Sequence, residues 1–185
     1  MTCRNVDATT AHTCGGSTPT GALMSYDAQG RLVSWVAPTG TPASEHLLYD
    51  NAGNLVLTRA TTPSGTTSTV FFGFTETVLS GSTTTTTTSY SVAGQRVAER
   101  VGTAFSYLIA NLQGSPTVAL TSAGTVSAVQ FYLPYGTTGF AWGTMPTAHR
   151  YTDQLLDSQM GLLYYGSRYY DPVTARFVRA DRVQG

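Results

Sequence analysis

Cysteine and histidine have the most obvious potential for chemistry in this chain, and three of them stand close together near its start. Cys3, His12 and Cys14 lie within twelve residues of one another, and thiolate and imidazole groups are zinc ligands. Zinc normally takes four ligands from paired short spacings, and no second pair follows in the sequence. We therefore expect the two cysteines either to be structurally incidental or to form one disulfide. No metal and no cofactor are predicted.

Other catalytic patterns are equally thin. Serines are abundant and a Ser–His–Asp triad could be drawn on paper, but no Gly-x-Ser-x-Gly elbow supports one. A phosphate-binding Gly-Lys-Ser/Thr loop is impossible because the chain has no lysine. His46 and His149 stand apart in sequence and are interpreted as surface or strand residues. The residue types alone thus predict no enzyme class.

The composition favours one packed domain that does not bind nucleic acid. At 185 residues the chain has room for one domain with a sizeable core. Ten basic residues, all arginine, balance ten acidic ones, and no basic cluster forms the electrostatic footprint of a nucleic-acid binder. Hydrophobic residues make up 41% of the chain and eleven residues are tyrosine, which argues for a packed fold rather than disorder.

No segment of the sequence predicts insertion into or passage across a membrane. No stretch approaches the roughly 20 apolar residues that a spanning helix needs. Residues 1–4 are not followed by the apolar region of a signal peptide. We expect any export signal to lie upstream or to be absent.

A turn pattern recurs along the chain and indicates the secondary structure that must position any site. Four segments begin with Asp, Ser or Thr and end with Gly: Asp27-Ala28-Gln29-Gly30, Asp50-Asn51-Ala52-Gly53, Ser91-Val92-Ala93-Gly94 and Thr121-Ser122-Ala123-Gly124. A type I turn prefers a short polar residue at its first position and glycine at its fourth. Strand-like sequence resumes after the first three of these glycines. The pattern predicts an all-β meander of hairpins, forming a curved antiparallel sheet of about ten to fourteen strands.

Further strands are predicted between these turns. Residues 69–74 and 126–132 are rich in branched and aromatic residues and are bounded by Gly or Pro. The threonine run 83–88 could be a low-complexity linker, but threonine favours strands and a turn follows, so a strand is preferred. Gly, Pro, Thr and Ser interrupt every window of helical length, and no amphipathic helix is predicted.

The last quarter of the chain carries the most specific pattern. Residues 161–172 contain four tyrosines and two glycines and end in an Asp-Pro pair, which breaks a strand because proline lacks a donor. This tail resembles the Rhs-repeat-associated core, and the turns resemble the YD repeats, of the Rhs/YD-repeat family of bacterial polymorphic toxins and wall-associated proteins. The residues that carry the resemblance are Tyr26, Asp27, Gly30, Tyr49, Asp50, Gly53, Tyr90 and Gly94 in the repeats, and Gly161, Tyr164, Tyr165, Gly166, Tyr169, Tyr170, Asp171, Pro172, Arg176 and Phe177 in the tail.

Three departures from the family pattern are visible. Met160 stands where the family usually has Thr, and Ala175 stands where it usually has Gly. Residues 111–113 read Asn-Leu-Gln where Asp-His-Leu is usual. The resemblance covers about residues 23 to 182. It implies a YD-repeat hairpin region over 23–149 and a core motif over 150–185, with 1–22 unassigned.

The resemblance also implies one candidate catalytic site. Toxin-bearing members end their core in a self-cleaving aspartyl protease that uses two aspartates with an arginine nearby. By position, Asp181 matches the first aspartate and Arg168 the arginine. Two carboxylates that share a proton are needed, and the second is expected beyond Gly185. We therefore interpret Asp181 as a turn residue or a salt-bridge partner of Arg168, and Arg168 as stacked on a ring or paired with a carboxylate. No enzymatic activity is expected.

Three function classes are compatible with these patterns. The leading hypothesis is a segment of an Rhs-type β-spiral shell that encloses or presents a C-terminal toxin effector in bacterial competition, secreted or at the cell surface. Its partners would then be the rest of a longer Rhs polypeptide and that effector. A surface module that binds glycans through exposed Tyr and Trp is the first alternative; Trp35 and Trp142 could serve there, although both are interpreted first as core aromatics. A self-cleaving protease, incomplete in this chain, is the second.

Overall fold

The computed structural model describes residues 3–5, 13–15 and 17–180. They form seventeen strands and one short 3₁₀ turn, Tyr151–Asp153. The strands are β1 Cys3–Arg4, β2 Ala22–Tyr26, β3 Leu32–Val36, β4 Ser44–Tyr49, β5 Leu55–Thr62, β6 Gly65–Phe72, β7 Thr75–Ser80, β8 Thr83–Val92, β9 Gln95–Val101, β10 Ala104–Ala110, β11 Pro116–Thr121, β12 Val126–Tyr132, β13 Thr138–Gly143, β14 Leu155–Asp157, β15 Leu162–Tyr164, β16 Tyr169–Asp171 and β17 Arg176–Phe177. The predicted all-β class is confirmed.

The strands form two antiparallel sheets in which spatial order follows sequence order. Strands β1 to β13 make one thirteen-stranded sheet, the large sheet, and β14 to β17 make the C-terminal sheet. Each strand pairs with its neighbours along the chain, as a hairpin meander requires. The strand predicted over 126–132 is confirmed as β12, and the threonine run lies in β8. The strand predicted over 69–74 ends two residues early, because Gly73 has a φ of 59° and turns the chain after Phe72.

The first two predicted turns are built by their aspartates. Asp27 accepts the N–H of Arg31 on its carboxylate at 2.8 Å, and Asp50 accepts that of Asn54 at 2.8 Å. In each turn the fourth residue is a glycine with positive φ that donates back to the carbonyl of the aspartate. The register shifts by one residue beside each turn. This is a hairpin with a type I turn closed by a glycine bulge.

The third predicted turn is different in the structure. Strand β8 continues through Ser91 to Val92, and only Ala93 and Gly94, both with positive φ, form the turn. Two consecutive residues with positive φ give the tight hairpin turn that matches strand twist. Capped turns follow at Asn111–Gly114, where the Asn111 side chain accepts the N–H of Ser115 at 3.0 Å, and at the fourth predicted turn, where the Thr121 hydroxyl accepts the N–H of Thr125 at 3.2 Å. Asparagine thus replaces the family's usual aspartate in the same capping role.

The large sheet has one covered face and one open face. The covered face of β2 to β5 packs against the C-terminal sheet in one hydrophobic core. Its buried members are Ala22, Met24, Leu32, Trp35, Ala37, Leu47 and Leu55 from the large sheet side and Met160, Leu162, Tyr169 and Val178 from the C-terminal side. A smaller core forms over β10 to β12, where Met145 packs on Leu108, Ala119 and Ala128.

A pair of carboxyl groups lies inside this interface. Glu45 on β4 is 3% exposed and forms a hydrogen bond with Asp157 on β14. Burial, and then the charge of Asp157, raise the pKa of Glu45 to about 8. Burial also raises the pKa of Asp157. Two carboxyl groups can share a hydrogen bond only if one is protonated, and the raised pKa values favour such a shared proton between the two sheets.

Ala175 is predicted to be a strained position. Its φ is 55°, a left-handed conformation that costs an L-residue about 1–2 kcal/mol. Glycine, the usual family residue there, removes that cost. Its greater freedom in the unfolded chain lowers stability by about 0.5–1 kcal/mol and so offsets part of the gain. We expect Ala175→Gly to raise the free energy of unfolding by about 0.5 kcal/mol in chemical denaturation. Ala52→Gly is the matched control at a turn residue without positive φ, and it should lower stability; equal losses in both variants would contradict the strain.

The carboxyl pair predicts a pH dependence of stability. The folded-state pKa of Glu45 lies above its unfolded value, so the folded chain binds the proton more tightly. The contribution of this pair to stability is therefore full below about pH 4.5 and is lost as pH rises to about 8, by up to about 1.4 kcal/mol per pH unit. We expect Glu45→Gln to flatten this slope in urea melts from pH 5 to pH 8.5, because an amide can donate to Asp157 without a proton from solvent.

The pairing is checked by a double-mutant cycle. Asp157→Asn should flatten the slope of stability against pH in the same way. The slope of the double variant should differ little from that of either single variant, because the two substitutions act on one shared proton. An unchanged slope in Glu45→Gln, or fully additive effects, would show that the two groups titrate separately.

Candidate functional site

Tyr49 of the repeat turns meets the tail tyrosines between the two sheets, whereas Tyr90 is exposed and packs on Phe105. Tyr49 and Tyr164 have ring centroids 6.3 Å apart, and Tyr164 is 5.1 Å from Tyr169. Tyr49 donates its hydroxyl to the carbonyl of Leu32 at 2.8 Å. Regular alternation along β4 places Tyr49 on the same covered face as Glu45 and Leu47, where the tail can reach it. One repeat tyrosine and the tail tyrosines thus share one packing interface.

A second aromatic group lies at the far end of the tail. Tyr165, Tyr170 and Phe177 surround one another with centroid distances of 5.5 to 5.7 Å. The guanidinium of Arg168 lies 4.0 Å from the centroid of the Phe177 ring. This cation–π contact is one of the two interactions expected of Arg168 from the sequence. Tyr170 also donates to the carbonyl of Tyr135 at 3.1 Å, which links the tail to the turn before β13.

Asp171 forms the most deeply buried ion pair that the structure describes. Its two carboxylate oxygens accept from Nε and Nη2 of Arg4, at 2.7 and 2.8 Å, and the third Arg4 nitrogen donates to the carbonyl of Met160. Asp171 is fully buried and Arg4 is 6% exposed. Removing one partner from such a pair leaves a buried charge without compensation, at about 3–5 kcal/mol. Asp171 thus ties the tail to strand β1, a contact with the segment that the sequence left unassigned.

Only one of the two candidate catalytic residues, Arg168, lies within the described residues. Arg168 packs against Phe177, whereas Asp181 lies outside the described residues. Arg176 and Phe177 are both exposed on β17, and Pro172 follows the buried Asp171. Of the two candidate residues, the structure therefore positions Arg168, and it positions it in a cation–π contact.

A polar cluster that the sequence did not predict lies where the chain crosses from β13 to the C-terminal sheet. Glu99 is 1% exposed, and one of its oxygens accepts from Thr147 at 2.7 Å, Arg96 at 3.1 Å and Ser89 at 3.2 Å. Burial raises the pKa of Glu99, against the opposing effects of Thr147 and Arg96. Arg96 also donates to Asp153 at 3.0 Å and contacts Ser89.

His149 completes this cluster. Its Nε2 lies 3.1 Å from Oε1 of Glu76, and its Nδ1 lies 2.8 Å from the carbonyl oxygen of Asp153. The prediction of a surface or strand residue is therefore wrong in part, because His149 is half-buried and connects β7 to the crossing segment. A cavity of about 430 Å³ borders the cluster, and its charged groups pair with one another. Ser89 contacts Arg96 and Glu99 rather than His149, so the described residues form no Ser–His–Asp relay at this cavity.

A strand bulge explains why the cluster escaped prediction. Arg96 and Glu99 are three residues apart, which on a regular strand would place them on opposite faces. In the structure Ser91 pairs with Arg96 and Tyr90 with Ala98, so Val97 is an extra residue on β9. That bulge turns Arg96 onto the face of Glu99. No sequence signal marks this bulge.

The structure tests the predictions made for the cysteines, for metal ligands and for membrane-spanning helices. Cys3 and Cys14 form a disulfide, which confirms one of the two predicted alternatives; His12 lies outside the described residues. Within residues 3–5, 13–15 and 17–180, no group of His, Cys, Asp or Glu is arranged to hold a metal ion. The same part of the chain contains no helix long and apolar enough to cross a membrane.

The two tryptophans proposed as glycan contacts differ in accessibility. Trp35 is 5% exposed and belongs to the main core, which confirms its interpretation as a core aromatic and rules it out as an exposed glycan contact. It faces the C-terminal sheet because it pairs directly with the buried Glu45 of β4, on the covered side. Trp142 on β13 is 55% exposed.

Comparison with known proteins supports the resemblance seen in the sequence. Residues 26–67 match the family model described as RHS Repeat. A 64-residue segment is 42% identical to salivary gland surface protein 1 of Aedes aegypti, over 33% of this chain and 2% of that protein. The chain thus spans a very small part of that relative.

Solved structures share the fold over most of the chain. The Tc holotoxin pore of Photorhabdus luminescens matches 90% of this chain with a TM-score of 0.79 and 20% identity. A complex of TcdB2, TccC3 and Cdc42 matches 86% with a TM-score of 0.76 and 22% identity. This chain covers 9% of the matched chain in each. With the repeat match at 26–67, these findings support the resemblance to the Rhs/YD-repeat family and show that the chain shares the fold of these Tc toxin structures.

Proposed function

We propose that this chain is a non-enzymatic wall segment of a larger Rhs-type shell. In this proposal residues 23–149 form the wall and residues 150–185 the core motif that folds back onto it. The observation that carries the proposal is the thirteen-stranded meander, whose fold matches 90% of this chain to a Tc toxin chain but only 9% of that chain. A sheet built by repeating one hairpin can be extended by further repeats of the same kind. We propose that the rest of a longer Rhs polypeptide continues it and that a C-terminal toxin effector, used in bacterial competition, is enclosed or presented.

The contacts of the polar residues support a passive role. Arg96, Glu99, Asp153 and His149 pair mainly with one another and fasten the crossing segment to β7, β8 and β9. Arg168 is engaged with an aromatic ring. We therefore propose that Arg168 and Asp181 are at most a remnant of an aspartyl self-cleaving centre.

The disulfide supports a location outside the reducing cytosol. Disulfides persist mainly in secreted, periplasmic and surface proteins. The Cys3–Cys14 bridge holds the segment that supplies Arg4 to Asp171. We propose that the chain works after secretion or at the cell surface. We do not extend the proposal to glycan binding, because one of its two tryptophans is buried.

The proposal predicts protection of the sequence that lies beyond this chain. The complete polypeptide encoded with residues 1–185 should be purified and treated with a nonspecific protease under native conditions. We expect the region beyond residue 185 to be cleaved at least ten times more slowly than the same region produced alone, because the shell excludes the protease. Mass spectrometry of the fragments over time gives both rates.

The control is the same measurement in enough denaturant to unfold the wall, where the two rates should converge. Equal rates under native conditions would contradict enclosure. Spontaneous release of a discrete fragment between pH 4 and pH 8, abolished by Asp181→Asn, would instead establish the self-cleaving alternative.

A further inference from the structure

Strand β13 ends the large sheet with an unprotected edge. All six of its residues, Thr138 to Gly143, are exposed, and no described strand pairs with its outer side. The strand contains neither a charged residue nor a proline. Natural edge strands are usually protected by lysine, proline, extra bulges or a covering segment. A bare edge of this kind offers a row of N–H and C=O groups to another strand.

The lack of charge extends well beyond the edge. Residues 101–148, which include all of β10 to β13, contain no Asp, Glu, Lys or Arg. The opposite end of the sheet differs. There β1 has two residues, and a disulfide and a buried ion pair hold it. These features distinguish the β1 end of the sheet from the β13 end, where the described chain supplies neither charge nor cover.

The open face next to the edge is aromatic. On β13, Phe140 lies opposite Phe131 of β12 and Trp142 lies opposite Val129 of β12. These side chains are on the face that the C-terminal sheet leaves uncovered. Phe131 and Phe140 have centroids 6.0 Å apart, and Phe131, Phe140 and Trp142 are each more than half exposed. Aromatic cross-strand pairs stabilise a sheet.

We propose that β13 is a docking strand for β13 of a second copy of this chain. The two strands run antiparallel about a two-fold axis that passes between the two Ala141 residues and is perpendicular to the sheet. Such an axis keeps the open faces of both copies on the same side, because directly opposed residues then have side chains on one face. Phe140 of each copy lies opposite Trp142 of the other, which forms two aromatic pairs beside Phe131.

The strand is self-complementary on its other face as well. In this register Ala141 opposes Ala141 of the second copy, and Gly139 opposes Gly143 of the second copy. These small residues leave no steric obstacle, and no charge meets a like charge. The second copy is the occupant that this symmetry selects, since each strand supplies both the row of backbone groups and the matching aromatic pair.

The dimer is tested by its mass in solution. We expect the 185-residue chain to sediment as a dimer at tens of micromolar concentration, at two pH values well away from its pI of about 6.8. Trp142→Lys should weaken dimerisation at least tenfold, because it puts a charge at the edge and removes both aromatic pairs. Phe72→Lys is the matched control: the Phe72 side chain is 84% exposed, but its strand β6 pairs on both sides and is not an edge strand. A monomer at these concentrations, or equal loss in both variants, would overturn the proposal.

The register is tested by disulfide trapping, which does not depend on the lysine variant. Ala141→Cys places two thiols directly opposite each other on the two-fold axis, within the reach of a disulfide. Thr138→Cys, on the same exposed strand, places them about 20 Å apart. Mild oxidation should cross-link the first variant at least ten times faster than the second. Equal rates, or faster cross-linking of Thr138→Cys, would exclude this register.

Discussion

A meander sheet of thirteen strands is stable only if apolar groups cover one of its faces, and over β2 to β5 residues 155–178 of the same chain do so. Short strands linked by tight turns bury little by themselves, because a two-stranded hairpin is marginal in water. The C-terminal sheet supplies Met160, Leu162, Tyr169 and Val178 to the core of β2 to β5. Strands β2 to β5 and the folded-back tail therefore share one core, and we expect them to unfold together.

Polar groups fix where the tail sits. The Arg4–Asp171 pair joins positions 167 residues apart, and its geometry leaves little freedom because both carboxylate oxygens are engaged. The Glu45–Asp157 pair adds a shared proton in the same interface. Farther along, the cluster around Glu99 attaches the crossing segment. Buried polar contacts of this kind specify a register, whereas apolar contacts alone would tolerate a shift of the tail.

Local features of the fold were predictable, and long-range ones were not. The turns at Asp27 and Asp50 could be read from the sequence because each is built within four residues, by a carboxylate and a glycine. The turn at Ser91 was misplaced because Ala93 adopts a positive φ that alanine rarely takes. Arg4 gave no signal of its role, since its partner lies in the tail. The bulge at Val97 likewise reversed the face of Arg96, and with it the position of the polar cluster.

Hydrogen exchange of the native chain tests most directly whether strands β2–β5 and the tail unfold together. Mass spectrometry of peptides from β2–β5 and from β14–β16 should give the same opening free energy, since neither has a core without the other. Asp171→Asn should lower the opening free energies of both groups of peptides by the same amount. The opening free energy of peptides from β10–β12, which belong to the other core, should change much less. If the tail opened alone in the variant while β2–β5 kept its protection, the wall would be stable without its cover, and the two sheets would not form one cooperative unit.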